Sequence, residues 1–221
     1  MSTPALDAEQ LYRFYHAGDD ETLALRGVSL ALAPGEMVAV TGPSGSGKST
    51  LLACLAGLDD PDAGMVRVRG ERLSRRGERE RARIRSRSIG MVFQSANLVE
   101  HLSLADNIHA VRALADRPIR EGVTELLDAV GLRHRARALP AQLSGGEAAR
   151  AAIAVAVAND PAVILADEPT GELDSGTAGR VVQLLARRAA AGAGVLVVTH
   201  DEQLATTADR VMHLHDGQLA S

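Results

Sequence analysis

Apolar residues along the chain form two kinds of segment, short continuous runs and longer runs rich in helix formers. The short runs at 37–40 and 162–165 contain only aliphatic and methionine side chains, as in strands buried on both faces of a sheet. The longer runs at 49–58 and 148–158 contain strong helix formers. Because strands and helices alternate, the pattern predicts one α/β domain with an aliphatic core between helices and a parallel sheet.

Length and composition limit the classes of protein that fit this pattern. With 221 residues, 46% hydrophobic and 2% aromatic, the chain suffices for one α/β domain, with or without an inserted lobe. The longest apolar run, 151–166, is interrupted at 159–161 and falls short of the roughly 20 residues of a membrane span. The N-terminal segment lacks the basic and apolar regions of a secretory signal. We therefore expect a cytoplasmic chain that does not itself cross the membrane, with its one cysteine, Cys54, in the core.

The segment TGPSGSGKST at 41–50 contains Lys48, the only lysine beside 23 arginines. It lies between a predicted strand and a predicted helix, and it fits the pattern G-x-x-x-x-G-K-[ST] of a phosphate-binding loop. Glycines let consecutive backbone N–H groups surround phosphate oxygens, and the helix N-terminus adds its positive dipole end. In such a loop Lys48 reaches the β- and γ-phosphates, and the Ser49 hydroxyl ligates Mg²⁺. A compact ammonium suits this position better than a planar guanidinium.

Further chemical groups follow two other predicted strands. Asp167 and Glu168 come directly after 162–165, and His200 follows the apolar run 194–198. Because the carboxyl ends of parallel strands meet at one edge of a sheet, we expect these side chains near Lys48. An acid pair at this edge suits Mg²⁺ binding by Asp167 and activation of a water molecule by Glu168.

A second candidate anion site lies between these segments. The sequence LSGGE at 143–147 precedes the alanine-rich helix predicted at 148–158. Ser144 and the following amides would therefore lie at a helix N-terminus, where anions bind favourably. One chain thus has two surfaces that could face phosphate.

Together these motifs resemble those of the ATP-binding cassette (ABC) ATPases of transporters. In that family's order they are Walker A (GPSGSGKST), the Q-loop residue Gln94, the signature LSGGE, Walker B (VILADE), the D-loop ELD at 172–174 and the switch histidine His200. The resemblance extends from about Leu6 to Leu219. Within the family, GPSGSGKSTLL and ADEPTGELDS are most similar to the macrolide-export and lipoprotein-release group (MacB/LolD type), and the FtsE type is close to it.

The resemblance implies an α/β P-loop NTPase fold, with a RecA-like parallel-sheet core, an antiparallel β patch and an inserted α-helical subdomain. The catalytic lobe would comprise 1–94 and 159–221, and the helical signature lobe would comprise 95–158. The sequence supports a helical segment there. Ser103 with Asp106 is typical of an N-terminal cap for a helix over 104–115, and an apolar stripe at 123–130 predicts another helix.

The resemblance also implies roles for individual residues in binding and hydrolysing ATP. Glu168 would be the general base, His200 would contact the γ-phosphate, and Ser49, Gln94 and Asp167 would hold Mg²⁺. Adenine would stack on Tyr15, although Tyr12 and Phe14 are close alternatives. The nucleotide would also contact Gly42, Pro43, Ser44, Gly45, Ser46, Gly47, Lys48, Ser49 and Thr50 of its own chain, and Ser144, Gly145 and Gly146 of a head-to-tail partner copy. Glu147 and Asp174 are further nucleotide-binding residues that the resemblance implies.

The partners implied by the resemblance are a second cassette and an integral membrane permease of the MacB/FtsX-like type. The permease is expected to be a separate polypeptide, with this chain peripheral on the cytoplasmic face of the membrane. An FtsE-like alternative uses ATP cycling to control cell-wall hydrolases through a membrane partner. The length leaves no room for the tandem cassettes of translation factors or the coiled coils of repair proteins, and no guanine-reading N-K-x-D motif is present.

Two departures from the family pattern concern the signature helix and the D-loop. Ala148, Ala149 and Val155 stand where glutamine or arginine is common, and Glu172 replaces a common asparagine. The first change removes polar side chains that the family pattern has in the signature helix, which bears on ATP-driven closure and turnover. The second places an extra carboxylate near the expected dimer seam.

Charge is distributed unevenly along the chain. The segment 67–87 holds ten arginines and three glutamates, a local charge of +7 in a chain of net charge −4. Its simplest interpretation is a solvated helix with Glu/Arg pairs, capped by Ser74. A sharper hypothesis is that it faces anionic lipid headgroups or acidic permease loops. Nucleic acid is not expected as a partner, because the segment lacks aromatic residues and the whole chain is acidic.

Overall fold

Ten strands and seven α-helices form the part of the chain that the structure describes, residues 3–17, 20–93, 98–115, 121–171 and 173–220 of a computed structural model. The strands are β1 (Leu6–Ala17), β2 (Asp20–Leu32), β3 (Met37–Thr41), β4 (Ala63–Val68), β5 (Glu71–Arg72), β6 (Ile89–Val92), β7 (Val163–Asp167), β8 (Gly194–Val198), β9 (Arg210–His215) and β10 (Gln218–Ala220). The helices are α1 (Lys48–Leu55), α2 (Glu78–Ser88), α3 (Leu104–Ala115), α4 (Val123–Ala129), α5 (Gly145–Ala156), α6 (Ser175–Ala190) and α7 (Glu202–Thr206). Two 3₁₀ turns, Arg133–Arg135 and Pro140–Gln142, separate α4 from α5.

The larger sheet has six strands in the order β10-β9-β3-β8-β7-β6. All of its neighbouring strands are parallel except β10, which pairs antiparallel with β9. Met37 pairs with Val195, and Val163 pairs with Gly194, so β3, β8 and β7 run level with one another. The predicted parallel sheet is confirmed, and its carboxyl-terminal edge brings together the loops after β3, β7 and β8.

Both faces of this sheet are buried, and successive residues of a strand enter different cores. Val163 and Leu165 pack with α1 and the second sheet, whereas Ile164 and Ala166 pack with α3 to α6. This double burial explains why the strands read as continuous apolar runs rather than as alternating ones. Each buried aliphatic side chain stabilises the fold by roughly 1.5–3 kcal/mol relative to exposure.

The second sheet is antiparallel, with the order β2-β1-β4-β5. It corresponds to the antiparallel patch that the resemblance implied, and it covers α1 through Leu6, Leu11 and Leu25, which are fully buried. Its strand β2 also contacts the β9–β10 turn, since the Arg26 amide donates to the Gly217 carbonyl at 2.8 Å. The two sheets therefore enclose α1 between them.

Helices α3, α4 and α5 follow β6 and precede β7, in the region predicted to be helical. The predicted cap of α3 is confirmed, because Ser103 Oγ accepts from the Asp106 amide at 3.2 Å. Helix α5 packs in the same core as β7 and β8, so the helical segment and the sheet share their apolar contacts. The division into lobes at residues 94 and 159 stays a prediction.

Two other predictions concern single residues. Cys54 is buried among the aliphatic side chains around α1, as expected, and burial raises the pKa of its thiol to about 12. The prediction that Ser74 caps the arginine-rich helix is wrong, since α2 begins at Glu78 after Gly77. Ser74 is instead buried, and its hydroxyl accepts from the Val66 amide at 3.0 Å. Pairing across the β4–β5 hairpin uses the side chain that a local cap would have needed.

No helix among the described residues is long and apolar enough to cross a membrane. The longest of them, α6, is Ser175–Ala190, and it alternates buried positions such as Val181 and Leu185 with exposed ones such as Arg180 and Arg187. Such an amphipathic helix lies at the surface of a globular core.

The contact between β6 and α5 gives a test of the packing. A Cβ at Gly90 would lie 2.1 Å from the Ala156 carbonyl oxygen, whereas a Cβ at Gly179 would meet no atom within 4 Å. We expect Gly90→Ala to lower the free energy of unfolding by about 1–3 kcal/mol through overpacking. Gly179→Ala, in the interior of α6, should raise it by about 0.5–1 kcal/mol. Urea denaturation of both variants would measure the difference, and equal effects would contradict this packing.

Candidate functional site

The predicted phosphate-binding loop joins the end of β3 at Thr41 to the start of α1 at Lys48. Gly42 and Gly47 have positive φ angles of 152° and 101°, and both lie against backbone. A Cβ would meet the Leu214 carbonyl oxygen at 2.0 Å from Gly42 and the Ala24 carbonyl oxygen at 2.4 Å from Gly47. The glycines are thus required by close packing as well as by dihedral angle. The loop is therefore packed against both sheets independently of any ligand.

Helix α1 begins without a side-chain cap at Gly47, so its first amides are directed into the loop. The Lys48 ammonium lies over the same loop. Its Nζ donates to the carbonyl oxygens of Gly42 and Pro43 at 2.9 and 2.8 Å, and it lies 3.5 Å from Ser46 Oγ. A half-buried cation and a set of free helix amides therefore point to one anion-sized region.

Ser49 and Asp167 lie together across the sheet edge. Ser49 Oγ donates to Asp167 Oδ2 at 3.4 Å, although 118 residues separate them in sequence. Burial raises the pKa of Asp167, and the neighbouring Glu168 carboxylate raises it further, while the Ser49 hydrogen bond and Lys48 act in the opposite direction. A hydroxyl and a carboxylate at this spacing are the oxygen ligands that Mg²⁺ prefers. Within the described residues no group of three or more His, Cys, Asp or Glu could hold a metal.

Glu168 occupies a strained backbone conformation directly after β7, with φ at 45°. The conformation is held because the Glu168 amide donates to the Val198 carbonyl at 2.9 Å, extending the pairing of β7 with β8. Its carboxylate accepts from Thr199 Oγ1 at 3.2 Å and contacts His200 Nδ1 at 2.8 Å. Strain of this kind is typical of residues whose orientation matters for function.

His200 is exposed, but its ring is tied to Glu168. The hydrogen bond to the Glu168 carboxylate and its negative charge raise the pKa of His200 above the ordinary value of about 6.5. A raised pKa favours the imidazolium in the folded state. The pair therefore stabilises the fold below about pH 6.5, and this contribution is lost as the pH rises through the raised pKa.

Tyr15 lies on β1 with its ring partly exposed, and its hydroxyl donates to Asp59 Oδ2 at 2.9 Å. The Arg13 guanidinium lies over one ring face, 4.8 Å from the centroid, and it also pairs with Asp59 at 2.8 Å. Tyr12 differs, because its hydroxyl is within 2.9 Å of the Cβ position of Gly27 and so packs on β2. Of these two tyrosines, Tyr15 is the one with an exposed ring that could stack on a base.

The predicted second anion site is the N-terminus of α5. Ser144 is its N-cap and forms a capping box with Glu147, with Ser144 Oγ accepting from the Glu147 amide at 3.3 Å and Glu147 Oε2 from the Ser144 amide at 2.9 Å. The Ser144 backbone and Arg135 lower the pKa of Glu147. Gly145 and Gly146 form the first turn of the helix.

Asp174 is the N-cap of α6, where its Oδ1 accepts from the Thr177 amide at 3.0 Å. The hydrogen bond from the Thr177 hydroxyl and this one from its amide lower the pKa of Asp174. Thr177 in turn lies beside the signature, since a Cβ at Gly146 would be 3.4 Å from its methyl group. The D-loop and the signature turn are therefore neighbours within one chain.

The structure brings most of the predicted site residues into two groups. Lys48, Ser49, Asp167, Glu168 and His200 meet at the edge of the parallel sheet, and the residues 144–147 meet at α5. Gln94 and Glu172 lie outside the described residues.

Sequence reasoning missed the residues that hold these groups in place. Thr199 is fully buried and donates to Glu168, and Asp201 caps α7 through the Gln203 amide at 2.8 Å. The polar triplet after the apolar run 194–198 was a signal for them, because polar residues at a strand end are typical of a site edge. Arg135 carried no such signal.

Comparisons with known proteins agree with this geometry. The family model described as "ABC transporter" matches residues 25–171. The lipoprotein-releasing system ATP-binding protein LolD of Pseudomonas fluorescens is 43% identical over 98% of this chain and 97% of its own length. The macrolide export ATP-binding/permease protein MacB of Hyphomonas neptunium is 41% identical over 100% of this chain and 35% of its own length. The dimeric cassette MJ0796, in a post-hydrolysis state bound to ADP and Pi, superposes with a TM-score of 0.90 at 36% identity, covering 98% and 97% of the two chains.

The His200–Glu168 pair gives a prediction that can be checked without turnover. We expect Glu168→Gln to lower the pKa of His200 toward about 6.5, because the charge and the acceptor that raise it are both removed or weakened. NMR titration of the imidazole would measure the shift. Glu202→Gln is the matched control, since this nearby carboxylate is not among the causes of the raised pKa. An unchanged His200 pKa in Glu168→Gln would show that the pair does not form in solution.

Proposed function

This chain belongs to the ABC transporter family, whose cassettes are ATPases, and on that basis we propose that it dimerises head to tail and powers a separate membrane permease. The single observation that carries the proposal is the separation of two phosphate-facing helix N-termini within one chain. The first, at α1, lies with Asp167 and Glu168. The second, at α5, has no hydrogen bond to that group among the described residues.

A head-to-tail pair of copies would bring these two N-termini together. Each nucleotide would then lie between Lys48 of one copy and Ser144 of the other. The similar cassette MJ0796 forms a dimer bound to ADP and Pi, which supports this arrangement. Two helix N-termini on opposite sides of a triphosphate would supply positive potential from both directions. Phosphoryl transfer depends on such stabilisation of the charge on the phosphate oxygens.

In this arrangement Lys48 and the amides at the start of α1 would bind the β- and γ-phosphates. Tyr15 would stack on the adenine, with Arg13 on the opposite face of its ring. Ser49 and Asp167 offer the hydroxyl and carboxylate oxygens that fit Mg²⁺, and Gln94 is the third proposed ligand. Bound there, the ion would neutralise charge on the phosphate oxygens.

Glu168 would act as the general base toward the attacking water. Its carboxylate is oriented by three groups, the Thr199 hydroxyl, the His200 amide and the His200 ring, at 3.2, 3.4 and 2.8 Å. His200 would also contact the γ-phosphate, and its exposed ring at the same sheet edge supports this role. Orientation of this kind supplies the positioning on which the rate of phosphoryl transfer depends.

The two relatives named above are a lipoprotein-releasing system protein and a macrolide export protein, which supports coupling to transport. We place the chain at the cytoplasmic face of the membrane, held there by its permease. Neither Tyr15 nor the two anion sites contact a transported molecule in this scheme, so the cargo would be chosen by the permease.

The structure contains a surface that suits a membrane partner. A groove of about 670 Å³ runs between α2 and α3, and its apolar lining includes Met91, Phe93 and Leu114, the last of which is 71% exposed. Arg79 and Arg83 also line the groove, and no ion pair is found for either among the described residues. Other arginines of this region are paired, since Glu78 binds two arginines of α2, Glu80 binds Arg76 just before that helix, and Arg67 pairs with acidic residues of β1.

This groove therefore fits a partner segment with apolar side chains beside carboxylates. Its lining includes Phe93, which precedes Gln94, a proposed Mg²⁺ ligand, in the sequence. A partner segment bound in this groove would therefore contact the residue that directly precedes a proposed residue of the nucleotide site.

The dimer and the general base are tested together by one substitution. We expect Glu168→Gln to reduce steady-state ATP hydrolysis at least about 100-fold, because general-base catalysis typically contributes that much. ATP binding should be retained, and ATP should produce a dimer that light scattering detects. Lys48→Arg is the contrasting variant, expected to fold but to lose both turnover and the ATP-driven dimer. Near-normal turnover in Glu168→Gln would exclude the base assignment.

The groove is tested by charge reversal. The double variant Arg79→Glu, Arg83→Glu should lose association with the membrane protein that copurifies with the unmodified chain, because its carboxylates would repel those of the partner. Arg180→Glu, on the exposed face of α6, is the matched control. The alternative is that these arginines bind lipid headgroups, and it is tested by binding to vesicles of anionic lipid that lack the membrane protein. If the double variant loses only vesicle binding, the arginines face lipid headgroups and the partner assignment is wrong.

A further inference from the structure

Glu147 places a carboxylate at the second anion site. It is the third residue of α5, and its side chain is only 14% exposed. One oxygen, Oε2, accepts from the Ser144 amide at 2.9 Å and so completes the capping box. The other, Oε1, accepts from Arg135 Nε at 3.0 Å. Both oxygens of this carboxylate are therefore engaged.

A carboxylate at this position is unfavourable for the proposed function, on which the following inference rests. Ser144 would face the γ-phosphate of a nucleotide held by the partner copy. An uncompensated negative charge one helical turn away would repel that phosphate in a partly desolvated interface. The amides and dipole of α5 attract the same phosphate, so the charge of Glu147 must be offset for the site to favour an anion.

We propose that Arg135 is a positioning residue for the signature, which neutralises Glu147 and holds it in the capping box that orients Ser144. The side chains within reach of Glu147 Oε1 support this assignment. Arg135 Nε is at 3.0 Å, whereas His134 Nε2 is at 3.9 Å and its ring is 68% exposed. Of these two basic side chains, only Arg135 donates a hydrogen bond to the carboxylate.

The backbone that carries Arg135 is held from both sides. Its amide donates to the carbonyl of the buried Leu132 at 2.9 Å. The carbonyls of Ala136 and Ala138 accept from the first amides of α3, Ala105 and Leu104, both at 2.9 Å. The guanidinium thus extends from a fixed turn, so its position relative to α5 is set by packing rather than by the flexible side chain alone.

The experiment uses the full chain with Glu168→Gln, in which ATP is expected to accumulate the dimer. We expect Arg135→Ala to raise the ATP concentration at half-maximal dimerisation about fivefold, the effect of one exposed or half-exposed charge pair. Binding of a fluorescent ATP analogue to the monomer should change little, because Arg135 acts on the partner's nucleotide. Arg133→Ala is the matched control, since Arg133 lies on the same turn and pairs with Asp128 instead.

A second background separates charge neutralisation from a merely structural role. Glutamine at position 147 can also complete a capping box, but it carries no charge. In the Glu147→Gln background, Arg135→Ala should therefore shift the half-maximal ATP concentration less than about twofold, against fivefold with Glu147 present. Arg135→Lys should retain most of the effect of arginine. Arg135→Gln replaces Arg135→Ala if the alanine variant does not fold.

The outcomes are distinct. An equal loss from Arg135→Ala in both backgrounds would overturn the proposal and leave Arg135 as a structural residue of its turn. A loss confined to the Glu147 background would establish it. Absence of any ATP-driven dimer in the protein that retains Arg135 would instead overturn the proposed function itself.

Discussion

The level parallel pairing of β3, β8 and β7 is the constraint on which the site depends. These strands come from three distant parts of the chain, and their hydrogen bonds place the following loops at one edge. Lys48, the acid pair and His200 follow those strands, so the register determines that they meet. A one-residue slip would reverse the faces of a strand and exchange the residues of its two cores. The apolar cores on both faces oppose such a slip.

The pairing also explains the strain at Glu168. Its amide continues the ladder with Val198, while its side chain turns toward Thr199 and His200. A positive φ angle satisfies both requirements at once, at a cost of order 1–2 kcal/mol that the surrounding sheet offsets. The carboxylate is thereby oriented before substrate arrives, which reduces the reorganisation needed in the reaction.

The signature LSGGE is arranged for anion binding in a different way from the loop after β3. Its helix N-terminus is assembled by a capping box, and the charge of that box is compensated by a residue from another turn. The site at β3 needs nothing comparable, because its glycines leave the helix amides free and its cation is part of the loop. The two halves of the proposed composite site thus create positive potential by different means. The loop after β3 uses backbone amides and a lysine. The N-terminus of α5 uses the helix dipole, with the nearby negative charge of Glu147 offset by Arg135.

Local sequence predicted the parts of this protein whose cause is local. The strand-to-helix loop, the cap of α3, the Ser144 helix start and the apolar strands follow from residue preferences and spacing, and the structure confirms them. Local signals failed where a distant segment competed for the same group. The Ser74 hydroxyl, which was predicted to cap α2, instead accepts a hydrogen bond from the Val66 amide. They were silent on Arg135, and they marked Thr199 only as part of a polar strand end, because both roles exist only through contacts with Glu147 and Glu168. The sequence by itself therefore determined which elements form and which chemistry they carry. Tertiary structure alone decided which side chains hold that chemistry in place, because orientation and charge compensation depend on distances between residues far apart in the chain.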